Sequence, residues 1–248
     1  MKIIHLDAVD STNDELKRRL ASDDPPEDRT VINAEHQSAG RGRSGHEWIS
    51  AYGSALTGSM IIYTGDMPPD VVPMLTILSA VTVAEAVEEM FPLSVSIKWP
   101  NDLLLSEKKF CGILCERIDK TVIIGIGVNL FEGSYPDELS GHATCISGEL
   151  AGTQAIDRLR LCELIWSRID EYYERFALIR TLSFLMDRYN SKLINAGRRV
   201  RIMEAKSSFE AEASGIDETG RLIVKDDNGR LLFINSGEVS VRGIDGYV

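Results

Sequence analysis

The sequence predicts an α/β (α+β) chain in which a large domain on a mixed sheet precedes a small all-β module. Three stretches carry that prediction. Residues 95–128 hold four strand-like runs, "VSIKW" (95–99), "DLLL" (102–105), "KFCGILCE" (109–116) and "TVIIGIGV" (121–128), joined by tight turns. Such a meander is antiparallel or mixed, unlike a doubly wound sheet. Residues 69–90, "PDVVPMLTILSAVTVAEAVEEM", read as a long helix, apolar over most of its surface and therefore central and buried. After Gly197 short strands alternate with the turn signals "DETG" (217–220) and "DDNG" (226–229), the texture of a β-barrel-like module. The expected domains are 1–196 and 197–248.

The remaining elements follow in order. "KIIHL" (2–6) is a strand. "DSTNDELKRRL" (10–20) opens a helix, with Thr12 and Glu15 at capping-box spacing and Leu16 and Leu20 one turn apart. "DDPPEDR" (23–29) is a loop, "TVINAE" (30–35) a strand, and "GSALTGSMIIY" (53–63) another. Pro73 fits the first turn of the long helix. Two amphipathic helices are expected near 157–177 and 181–195, with Gly197 where a helix C-cap belongs. The final strands are "RRVRIMEA" (198–205), "SFEAEASGI" (208–216), "GRLIVKD" (220–226) and "RLLFINSGEVSVRG" (230–243).

Composition narrows the function. The 248 residues include 27 basic and 38 acidic ones, a net charge of −11, and 44% are hydrophobic. An acidic chain is a poor non-specific partner for nucleic acid, whose phosphates need a basic surface. No segment approaches about 18 uninterrupted apolar residues, so no membrane span is expected. The amino terminus turns acidic at Asp7 and lacks a signal-peptide apolar region, which predicts a cytoplasmic location. The four cysteines form no C-x-x-C pair and read as buried thiols, and the four histidines form no H-E-x-x-H.

Four stretches carry chemistry. "AGRGRSGHEW" (39–48) contains the G-x-G-x-x-G spacing, but a turn and a strand follow it instead of a helix, which argues against dinucleotide binding. What remains is a glycine–arginine loop: glycines let backbone N–H groups approach an anion, and guanidinium forks suit carboxylate and phosphate. In an extended loop Arg41 and Arg43 would point the same way. A solvated loop is the bland alternative. "DSTND" (10–14) gathers hydroxyls, an amide and free N–H groups at a helix start, or is only an N-cap. "KWPND" (98–102) reads as a turn, with Lys98 and Asp102 as paired surface charges. In "KKFCGILCE" (108–116) Gly112 interrupts an apolar strand, as where a ligand lies close, and Lys109 alone reads as a surface lysine.

Taken together, "DSTN", "AEHQSAGRGRSG..W", "KWPNDL", "KFCGIL.E" and "GIGVN" (125–129), in this order, resemble the biotin protein ligases. The resemblance implies a mixed-sheet catalytic domain like that of class II aminoacyl-tRNA synthetases and a C-terminal SH3-like barrel. It implies a reaction that joins biotin to ATP as biotinyl-5′-adenylate, with Mg²⁺ on the phosphates. The biotinyl group then passes to one lysine of a biotin carboxyl carrier domain. Carried over by motif, Ser11, Thr12, Asn13 and Gln37 would contact biotin, and Gly40, Arg41, Gly42 and Arg43 would wrap its carboxylate and the phosphates. Trp48, Asn101 and Asn129 would line the nucleotide side and Gly112 would lie against the ligand ring. Lys109, Arg43 and Asp102 would be catalytic, with Lys109 between the carboxyl and the α-phosphate. Metal ligands are not identified, and a homodimer is left open. Many relatives carry arginine where this chain has His46. Only nine residues precede "DSTN", so a repressor's helix-turn-helix is expected to be absent. Alternatives are a lipoate or octanoate ligase or transferase, and a non-catalytic module that holds biotin or nucleotide. Because every motif lies upstream of Gly197, a chain cut there is expected to keep much of the adenylation site.

Overall fold

The computed structural model describes residues 1–203, 207–236 and 240–243. Parts of the strand expectations at 198–205 and 230–243 therefore lie outside the described residues, as do 244–248. In chain order the strands are β1 (Lys2–Val9), β2 (Thr30–Gln37), β3 (Gly40–Arg41), β4 (Glu47–Trp48), β5 (Ala55–Tyr63), β6 (Ser96–Lys98), β7 (Asp102–Leu105), β8 (Lys108–Ile118) and β9 (Thr121–Asn129). These are followed by β10 (Arg199–Met203), β11 (Ser208–Ile216), β12 (Leu222–Lys225), β13 (Leu231–Ile234) and β14 (Ser240–Gly243). The helices are α1 (Thr12–Leu20), α2 (Val71–Met90), α3 (Ile146–Leu150), α4 (Arg158–Ile179) and α5 (Met186–Lys192).

A seven-stranded sheet in the order β1-β2-β5-β9-β8-β7-β6 forms the large layer. Only β1 and β2 are parallel, joined through α1, so the sheet is mixed as the meander predicts. Period-2 alternation decides what each face does. Along β9, Val122, Ile124, Ile126 and Val128 join the main core under α2 and α4. On the opposite face Ile123 packs with Leu16 of α1, Ile32 and Ile61. Beyond Ile123 that second face continues as Gly125, Gly127 and Asn129. On β8 the corresponding positions are Gly112, Leu114 and Glu116, registered beside β9. Where isoleucines would fill the surface, glycines leave a trough.

Helix α2 has the apolarity of a membrane span, with a mean hydropathy of 1.6, yet 78% of that window is buried. It is the central core helix. Two expectations at helix ends are corrected. Ser11, rather than Thr12, caps α1: its side chain accepts from the Asp14 N–H, and Glu15 instead pairs with Arg18 and Arg19. Helix α5 stops at Lys192, and Gly197 lies beyond it with φ +72°, donating its N–H to Ala213 O at 2.7 Å. Lys98 is likewise no surface charge, being 6% exposed.

The second sheet is antiparallel, in the order β13-β12-β11-β10-β14. Its turns at Asp217–Gly220 and Asp226–Gly229 close through N–H to C=O bonds of 2.9 Å, with both glycines at positive φ. Val200, Ile202, Ala211, Val224 and Ile234 belong to the same core as α2. Trp99 pins the two sheets together: its indole N–H donates to Gly220 O at 3.0 Å and its backbone N–H to Asn195 Oδ1 at 3.0 Å. Trp99 is 1% exposed, so Trp99→Ala should destabilise the protein by about 3–5 kcal/mol, read from denaturant unfolding. A loss below about 1 kcal/mol would mean the two sheets are not coupled through this side chain. A chain cut at 197 would lose the Gly220 contact of Trp99 and one further contact that reaches the site itself.

Candidate active site

At the amino end of α1, Gln37 Oε1 accepts from the Thr12 N–H at 2.8 Å and from its hydroxyl at 3.0 Å. Thr12 Oγ1 meets Ser59 Oγ at 2.7 Å, Ser59 donates to Asn13 Oδ1 at 2.5 Å, and Asn13 Nδ2 donates to Glu116 at 2.8 Å. This buried polar chain lies at one end of the trough. A Cβ on Gly125 would fall 2.4 Å from Asn13 Oδ1, so the bare backbone there is required by the asparagine.

The glycine–arginine loop covers the trough. Gly40 pairs with Trp48 and Arg41 with Glu47, making a two-stranded flap. A Cβ on Gly40 would lie 2.4 Å from Trp48 O. Between the strands runs a 3-10 turn, Arg43–Gly45, where Ser44 and Gly45 have φ of +54° and +79°. Gly42 N–H closes it onto His46 O at 2.7 Å, and the His46 side chain is exposed. With this turn the loop is not extended, so the condition under which Arg41 and Arg43 would point the same way is not met. Arg41 reaches Asp14 at 2.7 Å and Glu116 at 3.0 Å on the α1 side. Arg43 instead donates to Asn101 Oδ1 at 2.9 Å and to the carbonyl of Ser236, a residue of the small module. Burial pulls the Arg43 guanidinium below its ordinary value, and Asp102 opposes that. Burial pushes the Asp14 carboxyl up, but Lys17 and Arg41 outweigh it and hold it low.

At the other end, Lys109 Nζ lies 2.6 Å from Asp102 Oδ1. Asn101 Nδ2 donates to the same oxygen at 3.1 Å and to Ile113 O at 3.2 Å. The Lys109 backbone is fixed on both sides, its N–H to His142 O at 2.8 Å and its C=O to the Thr144 N–H at 2.9 Å. The Trp48 indole lies over Gly127 and Gly112, where added Cβ atoms would sit 2.5 and 3.3 Å from it. Trp48 Nε1 and Asn129 Oδ1 are buried and lack partners, while Asn129 Nδ2 donates to Thr144 O. An orphan donor and an orphan acceptor are what a ligand with polar edges would satisfy.

Thus Ser11, Thr12, Asn13, Gln37, Arg41, Gly42, Arg43, Trp48, Asn101, Lys109 and Gly112 line one cavity. Asp102 adjoins it through Lys109, Gly40 supports the flap, and Asn129 continues the glycine row on β9. Sequence reasoning missed Glu116, which joins Asn13, Lys17 and Arg41, together with Asp14, Ser59 and the Ser236 carbonyl. The alternation of Gly125, Gly127 and Asn129 was a readable signal for the trough floor. The cavity encloses only 50 Å³, about one or two waters. A recess of about 560 Å³ lies on the other side of the loop, between residues 42–45 and 69–76. Among the described residues no cluster of three or more His, Cys, Asp or Glu could hold a metal ion.

Joining a carboxylate to a phosphate brings two anions together, and catalysis needs cations fixed on both sides of the new bond. Arg41 and Arg43 on the flap and Lys109 on the sheet line one cavity, a set of cations that suits two anions, and the class is an acid-activating α/β domain with an appended β module. Residues 6–129 match the Biotin/lipoate A/B protein ligase family and residues 196–242 the biotin protein ligase C terminal domain. The chain belongs to the biotin/lipoate A/B protein ligase family. It is 33% identical over 235 residues to the bifunctional ligase/repressor BirA of Bacillus subtilis, covering 92% of this chain and 70% of that protein. The biotin–[acetyl-CoA-carboxylase] ligase of Mycobacterium tuberculosis is 30% identical over 234 residues, 92% of this chain and 85% of that one. The biotin protein ligase of Aquifex aeolicus, solved with biotin and ATP, superposes with a TM-score of 0.86 at 28% identity, covering 98% and 99% of the two chains.

Proposed function

We propose that this protein is a biotin–[acetyl-CoA-carboxylase] ligase that makes biotinyl-5′-adenylate from biotin and ATP and transfers biotin to a carrier lysine. The observation that carries the reading is the Arg41–Arg43–Lys109 set around one trough, in a chain whose relatives include ligases so named. The biotin carboxylate attacks the α-phosphorus, an O–P bond forms, and pyrophosphate leaves. The carrier lysine's amine then attacks the acyl carbon, loses a proton and displaces AMP.

In this reading the hydroxyl and amide chain of Ser11, Thr12, Asn13 and Gln37 receives the biotin ring, and Gly112 lets it lie against β8. Arg41 exchanges its contacts with Asp14 and Glu116 for the ligand's anions. Arg43 and Lys109 face the crowded phosphorus, with Asp102 orienting Lys109. Trp48, Asn101 and Asn129 take the nucleotide; the two orphaned atoms support this. Gly40 and Gly42 give the flap its close backbone approach, and its closure shields the anhydride from water. Mg²⁺ would arrive on the triphosphate, held by phosphate oxygens and water, and would neutralise part of its charge. Domains 1–196 and 197–248 divide the work, the second bracing Arg43 through Ser236. The carrier is a biotin carboxyl carrier domain. A cytoplasmic location agrees with four free thiols.

Pyrophosphate release should appear with biotin, and not with lipoate or without an acid. Release with lipoate alone would make the protein a lipoate ligase, and folded protein inert with both would be a binding module.

A further inference from the structure

We infer that Glu116, a positioning residue outside the cavity lining, sets what the α1 end of the trough recognises: by fixing the Asn13 amide it leaves Thr12 and Gln37 as acceptors for ring N–H groups. The inference rests on the ligase reading above and says what its ring site selects.

Four oxygens form a row there. Gln37 Oε1, Thr12 Oγ1, Ser59 Oγ and Asn13 Oδ1 are separated in turn by 3.0, 2.7 and 2.5 Å. The end members are amide carbonyls, which only accept, and the middle two are hydroxyls with one hydrogen each. Three contacts therefore share two hydrogens. Both amides are fixed from outside the row. Gln37 Oε1 also takes the Thr12 backbone N–H at 2.8 Å, and turning that amide would set N–H against N–H. Asn13 Nδ2 donates to Glu116 Oε2 at 2.8 Å. Turning this amide would set its carbonyl oxygen against an ionised carboxylate, which only accepts. Ser59 therefore gives its hydrogen to Asn13, and Thr12 has one hydrogen for two acceptors, Ser59 and Gln37.

The row is buried: Thr12, Asn13 and Ser59 are 3%, 4% and 0% exposed. Bulk water does not relieve an unmet acceptor in such a place. Thr12 and Gln37 line the cavity and Ser59 does not, so the shortfall faces the ligand, and a ring N–H fills it. The cyclic urea of biotin carries two such groups; the dithiolane ring of lipoate carries none. An amide at position 116 removes the constraint. It can donate to the Asn13 carbonyl, Asn13 can turn its Nδ2 toward Ser59, and the hydroxyl hydrogens can pass to Thr12 and Gln37. The row is then complete without a ligand. Glu116 also meets Lys17 and Arg41, each at 3.0 Å, so the test has to separate its charge from its hold on Asn13.

The test uses the full chain, with calorimetry for biotin affinity and pyrophosphate release for rate. Glu116→Gln should weaken biotin binding by about 30-fold, while the adenylation rate at saturating biotin stays within about threefold. Lys17→Met removes one partner of Glu116 and leaves the Asn13 contact, so biotin affinity should stay within about threefold. Adding Asn13→Asp to Glu116→Gln moves the acceptor-only group to the other side of the contact. The new carboxylate takes the new amide on one oxygen and Ser59 on the other, the net charge is unchanged, and the shortfall returns. This double variant should regain at least about tenfold in affinity; a packing defect would not be reversed by the second change. Wild-type affinity in Glu116→Gln, an equal loss in Lys17→Met, or no recovery in the double variant would each overturn the role of Glu116. Well-folded wild-type protein that does not bind biotin would instead bring down the ligase reading, and this inference with it.

Discussion

Alanine in place of Lys109 will lower the rate of biotin-dependent adenylate formation by about 1,000-fold and weaken biotin binding by less than about tenfold. The asymmetry comes from where charge develops. In the resting site Lys109 already has a partner, Asp102 at 2.6 Å, so binding biotin gains little from it. At the transition state the attacking carboxylate and the leaving pyrophosphate crowd negative charge around one phosphorus. A fixed ammonium is then worth far more than in the ground state. The fold should survive, because Asp102 keeps Lys98 as its cross-strand neighbour and Asn101 Nδ2 as a donor. Single-turnover adenylation and calorimetry give the two quantities separately. Equal losses in both would show that Lys109 only holds the ground state.

Gly125→Ala is expected to do the reverse, weakening biotin binding by about 100-fold through the loss of one or two buried hydrogen bonds. Its Cβ would sit 2.4 Å from Asn13 Oδ1. Asn13 cannot yield cheaply, since Ser59 donates to that oxygen and Glu116 accepts from its amide. Displacing it breaks the polar chain that runs back to Gln37. With biotin at saturation the adenylation rate should recover most of the loss, because Lys109, Asn101 and Arg43 lie at the other end of the trough. Unchanged biotin affinity in the folded variant would show that this chain does not receive the ring.

Much of this was legible in the sequence because local signals and the global fold agree. The meander from 95 to 128, the buried helix α2 and the turn glycines of the β module are set by period and turn chemistry, which are local properties. The residues that line the cavity were legible for another reason: the motifs taken together resemble those of the biotin protein ligases, whereas Lys109 alone reads as a surface lysine. What escaped depends on chain segments far apart. Glu116 reads as one more polar position on β8 until α1 brings Asn13 and Lys17, and the flap brings Arg41, against it. Lys98 reads as a surface charge because its strand is only three residues long, and its burial depends on neighbours that arrive later in the chain. The Ser236 carbonyl could not be found at all, since a backbone acceptor has no residue-type signature. Thr12 was misread as the cap because capping-box spacing fits it as well as Ser11, and only the backbone angles at Ser11 decide.

The most direct test of the account is the covalent product. The protein is incubated with biotin, Mg-ATP and a biotin carboxyl carrier domain, and the carrier is analysed by intact mass and peptide mapping. One biotinyl group in amide linkage on a single lysine is expected, formed only when ATP is present, and absent when Lys109 is alanine. An unmodified carrier in the presence of well-folded wild-type protein that makes adenylate, or a lipoyl group in place of biotin when both acids are supplied, would contradict it.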